Sequence, residues 1–304
     1  AASPCSYGGD REHPITAIQM ATLNTAEHFG VARQVGQVSP GRFADLLLLR
    51  DLPHVQPELV LAKGRVVAQN GQVLADLPAY PYPEWAIHSV HLGRRLQAQD
   101  FRLAAPGAGM ATVNVIGIIE NQAPNRHLRL QVPIVQGEIL PDQARDLAKI
   151  ALVERHQGTG RIQVGLVHGF GFNVPCAVAT TVAHDSHQMI VVGTSEADMA
   201  LAANALSEMD GGQIVVRQGE VIGQVALPIA GLMSNQRAEL VAQQAASVLE
   251  GFRQCGCLLN NPNMQLSFSA LVVIPELRIS DLGLVDVVRF DFIPVVEPVV
   301  QPSR

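Results

Sequence analysis

Leu77 to Trp85, LPAYPYPEW, places three prolines in nine residues. Proline fixes φ and has no backbone N–H to donate, so this stretch fits neither a helix interior nor a central strand. It reads as a stiff, extended connector and marks the clearest boundary in the chain. A length of 304 residues also gives two domains as the first expectation.

Before the connector, Pro14 suits a first helical position. Ile15, Ile18, Thr22, Ala26 and Phe29 then recur at steps of three and four. Residues 14–29 are therefore predicted as a helix, with Gly30 as its stop. Met20 and Leu23 lie off that stripe, so the amphipathicity is mixed. Ala44 to Leu49 reads as a short strand. Leu59 to Ala75 reads as a hairpin around an Asn70-Gly71 turn.

After the connector, apolar runs alternate with turns. Strands are expected at 129–135, 150–154, 162–166, 176–182, 189–192, 213–217, 221–227, 266–273 and 285–292. Two helices interrupt them. Ser195 caps the first, which ends at Gly211 and Gly212. The second runs from about Ser234 or Asn235 to Gly256, with Leu240, Val241, Ala245, Val248, Leu249 and Phe252 at helical spacing. The Pro-rich tail from Pro294 is expected to fray. Strand runs broken by separate helices predict an α+β fold with an antiparallel sheet. Aromatics supply only 4% of the residues, so its core must be built from Val, Leu, Ile and Ala.

Ala179 to Thr194, ATTVAHDSHQMIVVGT, sets His184, Asp185, Ser186 and His187 between two apolar runs. Buried polar groups must find partners, so such a cluster is a candidate site. The formal charge of −6 and the scattered arginines offer no basic face to nucleic acid. No run reaches the roughly 18 apolar residues of a membrane span. The polar start, AASPCSYGGDREH, lacks the apolar segment of a signal peptide. Cys5, Cys176, Cys255 and Cys257 are too unevenly spread for a disulfide framework. These features together point to the cytoplasm. A single residue separates Cys255 from Cys257, less than a zinc knuckle needs.

Several segments resemble the adenine deaminases of the amidohydrolase superfamily. PITAIQMATLNTAEHFG, residues 14–30, is similar to the last helix of the amidohydrolase barrel. GQVSPGRFADLLLLRDL, residues 36–52, is similar to the return into the accompanying small β-sandwich. VERHQGTGRIQVGLVHGFGF, VAHDSHQMIVVGTSEADM, LPIAGLMS and LSFSALVVIPELRISDLGLVDV are similar to the C-terminal domain of that family. The likeness covers residues 12 to 293 and leaves residues 1–11 as a foreign or altered junction. It divides the chain into a barrel-helix remnant at 1–30, a sandwich segment at 31–80, a linker and domain start at 81–128, and the C-terminal α+β domain at 129–304.

The resemblance implies metal-dependent hydrolysis of adenine to hypoxanthine and ammonia, as in purine salvage or adenine catabolism. It implies a dinuclear iron or manganese centre in the complete enzyme. A ring amine is a poor leaving group and water a weak nucleophile, so a metal-generated hydroxide fits that chemistry. The family's His-x-His pair does not occur in this sequence. No metal ligand is therefore assigned to the chain, and no cofactor is expected on it alone. The implied role is an active-site wall and assembly surface, inactive without the missing barrel, with adenine as the substrate and homo-oligomers expected. The competing expectation is a non-catalytic purine-binding or oligomerisation module.

Two readings of His184, Asp185 and His187 stay open. In one they form a turn whose Asp185 and Ser186 satisfy backbone donors. In the other, suggested by the resemblance, they line the adenine pocket, where an imidazole bonds a purine nitrogen or moves a proton. A metal site from this cluster alone is disfavoured, because i, i+3 side chains face together only on a helix. Glu154, Arg155, His156 and the glycines at 158 and 160 read as a strand end and turn, with His156 or Arg161 as secondary pocket candidates. His168–Phe172, HGFGF, is a turn or a flap. His88 and His91 read as surface or interface residues. Glu276 reads as a solvent-facing carboxylate with an outside claim on a site. Cys176 reads as core.

Overall fold

A computed structural model describes residues 14–52 and 54–298. Residues 1–11, with Cys5, lie outside the described residues. The chain divides into two compact units between Pro81 and Tyr82.

The first unit begins with α1 (Pro14–Gln19), a π-helical turn at Met20–Asn24, and α2 (Thr25–His28). The predicted helix is present with a wide turn in its middle, where the apolar stripe is mixed. Gly30 follows at φ +70, as a helix stop requires. A four-stranded antiparallel meander follows, made of β1 (Leu46–Leu49), β2 (Pro57–Ala62), β3 (Arg65–Gln69) and β4 (Gln72–Val73). The expected single hairpin is corrected to two. Asn70-Gly71 joins β3 to β4, but Lys63-Gly64, with φ +49 and +76, makes the turn between β2 and β3. Lysine has no special tolerance for left-handed backbone, so only the following glycine signalled that turn.

This unit hides little of its apolar surface. Among its described residues only Ala26 is buried, while Phe29, Phe43, Leu47 and Leu48 are exposed. Exposed apolar faces of this size drive association. Light scattering of the purified chain should show self-association. A sharp monomer in which the backbone amides of residues 14–28 resist exchange would contradict this.

The second unit runs through α3 (Glu84–Ile87), β5 (Leu103–Ala104), β6 (Gly109–Gly117), β7 (Arg126–Ile134), β8 (Glu138–Ile139), β9 (Leu147–Val153) and β10 (Ile162–His168). It continues through β11 (Cys176–Thr180), β12 (Met189–Gly193), α4 (Glu196–Glu208), β13 (Gly212–Arg217) and β14 (Glu220–Ala226). It closes with α5 (Ala238–Gln254), α6 (Pro262–Phe268), β15 (Leu277–Ser280), β16 (Gly283–Asp286) and β17 (Asp291–Ile293). Eight strands form one sheet in the order β14-β13-β11-β12-β9-β10-β6-β7. It is antiparallel except for a short parallel contact of β10 with β6. The fold is α+β, as expected. β15, β16 and β17 form a separate small sheet.

The central strands are buried on both faces. Ala177, Ala179, Val191, Ile214 and Val216 pack beneath α4. The alternate residues Val178, Ile190, Val192 and Val215 pack with Val248 and Phe252 of α5 and Leu266 of α6. Period-two alternation sends neighbours to opposite sides, so each strand serves two cores. Burial of each Val or Ile contributes about 1.5–3 kcal/mol. Ser195 caps α4 as predicted, its Oγ accepting from the Asp198 N–H at 3.2 Å.

Four expectations need correction. Residues 285–292 are not one strand, because β16 ends at Asp286 and β17 begins at Asp291 across a turn. Residues 266–273 are not a strand: Asn261 caps α6, with Pro262 in its first turn, and the chain then turns. The strand β6, nine residues long, was missed inside the expected linker region. The tail from Pro294 does not fray over its described part: Asn114 N donates to the Val295 carbonyl, and Glu297 N to that of Thr112.

Candidate functional site at the β11–β12 turn

β11 and β12 are adjacent antiparallel strands, and residues 181–188 connect them. Thr181 is buried; its hydroxyl donates to the Gly231 carbonyl at 2.6 Å and accepts from Gly212 N at 2.8 Å. Residues 184–186 form the turn. Two bonds close it: His187 N donates to the Ala183 carbonyl at 2.7 Å, and Ala183 N donates to His187 Nδ1 at 3.2 Å. His184 Nδ1 meets Ser267 Oγ at 2.5 Å, and its ring lies 5.7 Å from that of Phe268. The two imidazoles are 5.4 Å apart. Asp185 and Ser186 are exposed at the tip.

Arg155 holds this turn from below. It is 1% exposed. Its Nε donates to the His187 carbonyl at 2.6 Å, and its two terminal nitrogens donate to the Ser89 and Ala230 carbonyls at 2.9 and 3.0 Å. Its backbone N–H bonds Gln188 Oε1 at 2.9 Å. One guanidinium thus ties the segment after the connector, the β11–β12 turn and the loop after β14. Burial pulls its pKa down to about 10, which the neighbouring Glu154 opposes, so it stays charged at neutral pH. Gly231 makes room for it, because a Cβ there would sit 2.9 Å from the guanidinium.

Arg278, equally buried, secures the facing wall. It donates to the carbonyls of Ile274 (2.7 Å), Phe268 (2.7 Å), Ala123 (2.6 Å) and Pro275 (3.0 Å). It therefore fixes the end of α6, which carries Ser267 and Phe268 against His184. Sequence reading missed Arg278, Ser267 and Phe268. The available signal was an arginine inside the apolar run around β15, a place where a charge needs dedicated partners.

Glu154 and His156 also serve the turn. Glu154 accepts from His156 N (2.5 Å), Gln157 N (2.8 Å), Thr159 N (3.0 Å) and Thr159 Oγ1 (2.9 Å). Burial alone would raise its pKa, but these bonds outweigh that and hold it at about 2. His156 Nε2 contacts the Ser186 carbonyl at 2.8 Å. The 154–160 segment is thus a loop built around a buried carboxylate, and it reaches the cluster through His156. Arg161 instead pairs with Asp281 at 3.3 Å.

The other candidates fall elsewhere. HGFGF is not a flap, since Phe170 and Phe172 are buried and their rings lie 5.5 Å apart within the core. Glu276 accepts from His127 N at 2.7 Å, beside β7. His88 is exposed between Glu84 and Asp210, at 3.2 and 3.0 Å. His91 is exposed, its N–H on the Arg155 carbonyl. Cys176 is a buried core thiol, as are Cys255 and Cys257, and burial pushes Cys257 up to about 11.

The dinuclear centre implied by the resemblance does not fit the described residues. Among the described residues no three His, Cys, Asp or Glu side chains converge on a point. In the cluster, Nδ1 of each imidazole is already committed to Ser267 or to Ala183. What this arrangement offers is two oriented imidazoles on a wall of hydrogen-bonded loops.

Two stability measurements probe that wall. Arg155→Met leaves buried carbonyls unpaired, so urea unfolding should show a loss of about 3–5 kcal/mol. Arg155→Lys keeps the charge but not the fork, and should fall between wild type and Met. Glu154 has its pKa lowered on folding, from 4.5 to about 2, so its contribution is full above pH 4.5 and is lost as pH falls through 2. Unfolding measured across that window should lose up to about 3 kcal/mol in wild type, and much less in Glu154→Gln.

Comparison with known proteins places these elements. Residues 122–291, more than half of the chain, match the adenine deaminase C-terminal domain, and residues 3–69 match the amidohydrolase family. The chain is 53% identical over 283 residues to adenine deaminase 3 of Rhizobium meliloti (strain 1021), covering 93% of this chain and 48% of that protein. It is 53% identical over 280 residues to the adenine deaminase of Paracoccus denitrificans (strain Pd 1222), covering 92% and 46%. It is 47% identical over 285 residues to that of Moorella thermoacetica, covering 93% and 48%. The chain thus spans about half the length of the curated relatives it matches. It belongs to the adenine deaminase C-terminal domain family.

Proposed function

We propose that this chain supplies one wall of the adenine site, and part of the assembly surface, of an adenine deaminase whose metal-bearing barrel lies outside it. The observation that carries this reading is convergence. Segments 154–160, 181–188, 227–233 and 266–278 are far apart in sequence, yet meet around His184 and His187 through Arg155, Thr181, His156 and Arg278. Rigid support behind a pair of polar side chains is what ligand orientation requires.

The reaction is adenine plus water giving hypoxanthine and ammonia. A metal centre held by residues outside this chain would supply activated water for that reaction. This chain's residues bind and orient the purine and exclude solvent. The free thiols of Cys176, Cys255 and Cys257 suit a reducing compartment such as the cytoplasm. The exposed apolar surface of the first unit suits docking of the barrel or assembly into homo-oligomers. That surface equally supports a second reading, a purine-binding or oligomerisation module without catalysis.

Ammonia release from adenine with added manganese or iron distinguishes them. The chain alone should give no turnover, and mixing with a separately expressed barrel half should restore it. In that pair His184→Ala should lower kcat/KM at least tenfold. Turnover by the chain alone, or a restored activity indifferent to His184, would overturn the proposal. Calorimetric binding of adenine without turnover in the mixture would favour the non-catalytic module.

A further inference from the structure

Both imidazoles of the β11–β12 turn are held in one tautomer by their surroundings. His187 Nδ1 accepts the Ala183 N–H. A nitrogen that accepts carries no proton, so the proton of the neutral ring sits on Nε2. The ring is tied to its own turn twice, because its backbone N–H also closes on the Ala183 carbonyl. Arg155 then fixes the His187 carbonyl. His184 follows the same logic from the other side. Ser267 is 2% exposed, and its hydroxyl finds His184 Nδ1 at 2.5 Å. A buried hydroxyl without an acceptor would be costly, so Ser267 donates and Nδ1 accepts. His184 too carries its proton on Nε2. Neither Nε2 has a partner among the described residues.

The surroundings of His187 disfavour its charged form. Burial disfavours the imidazolium, and His184, Arg155 and His156 act in the same direction, with only exposed Asp185 opposing them.

From this geometry we infer that His184 and His187 are a pair of fixed Nε2–H donors that select a planar heterocycle by its unprotonated acceptors, an sp² ring nitrogen or a ring carbonyl. The inference rests on the wall reading above and deepens it. A donor-only site accepts the ring nitrogens of adenine and the carbonyl of the deaminated product. It rejects a ring in which the contacted nitrogen is protonated or replaced by C–H. A site built to donate discriminates strongly, since the missing acceptor leaves its own N–H unpaired.

Two measurements on the intact chain test this. Two-bond ¹H–¹⁵N correlation spectra of the imidazoles should show Nε2–H tautomers for both residues at pH 7 to 8. An Nδ1–H pattern at either residue would overturn the inference without touching the wall reading. The second measurement is titration with adenine and with 1-, 3- and 7-deazaadenine, followed on the same resonances. At least one deaza analogue should bind about tenfold or more weakly than adenine. His187→Phe should erase that difference, and His187→Gln, which keeps a neutral donor, should retain part of it. If adenine perturbs residues 181–188 but no analogue is discriminated, or His187→Phe discriminates as wild type does, the donor pair is wrong and the wall stands. If millimolar adenine leaves 181–188 unperturbed both in the chain alone and in its mixture with the barrel half, both fail.

Discussion

A guanidinium buried without a carboxylate is the constraint around which the second unit is arranged. Arg155 cannot be neutralised at ordinary pH and cannot be left unpaired in the interior, so every N–H it turns inward must find an oxygen. The chain meets that demand with carbonyls of Ser89, His187 and Ala230. Planar fork geometry makes those contacts directional, which an ammonium could not do. Three loops are thereby tied to one point, and the Thr181 hydroxyl adds a bond to the Gly231 carbonyl. Arg278 repeats the device with four carbonyls on the α6 side. The imidazole pair is held between these two clamps.

The sheet explains why the clamps are needed. Its central strands bury both faces, so the helices occupy the two sides and cores lie above and below. Only the strand ends are left for polar chemistry. Loops at such an end have little apolar surface with which to pack. Hydrogen bonds to buried charges, each stronger than a neutral bond, take over the ordering there. Glu154 does for the 156–160 loop with a carboxylate what Arg155 does for the turn with a cation.

Much of this was legible in the sequence. The apolar runs at β9 to β14 gave the strands nearly at their observed bounds, and Ser195 announced α4. The His-Asp-Ser-His run marked the one turn that the structure builds into a cluster. What escaped had physical reasons. In LSFSALVV, Ser267 and Ser269 alternate with apolar residues as in a strand, which masked the end of α6; only Asn261-Pro262 ahead of it encoded a helix start. β6 has a Gly at each end and Asn114 in its middle, which interrupts the apolar run of a strand that tertiary pairing imposes. Arg155 looked like part of an exposed strand end, and nothing local shows that its partners lie 32 to 75 residues away. The polar cluster was visible because its members are adjacent; its support was invisible because the supporting atoms are backbone carbonyls, which carry no side-chain signature.

One guanidinium makes these loops a single cooperative element, which amide hydrogen exchange of wild type and Arg155→Lys under native conditions can check. Exchange should accelerate together in residues 88–91, 183–188 and 229–233, with β6 and β7 unchanged. Acceleration confined to one of the three segments, or none in any, would contradict it.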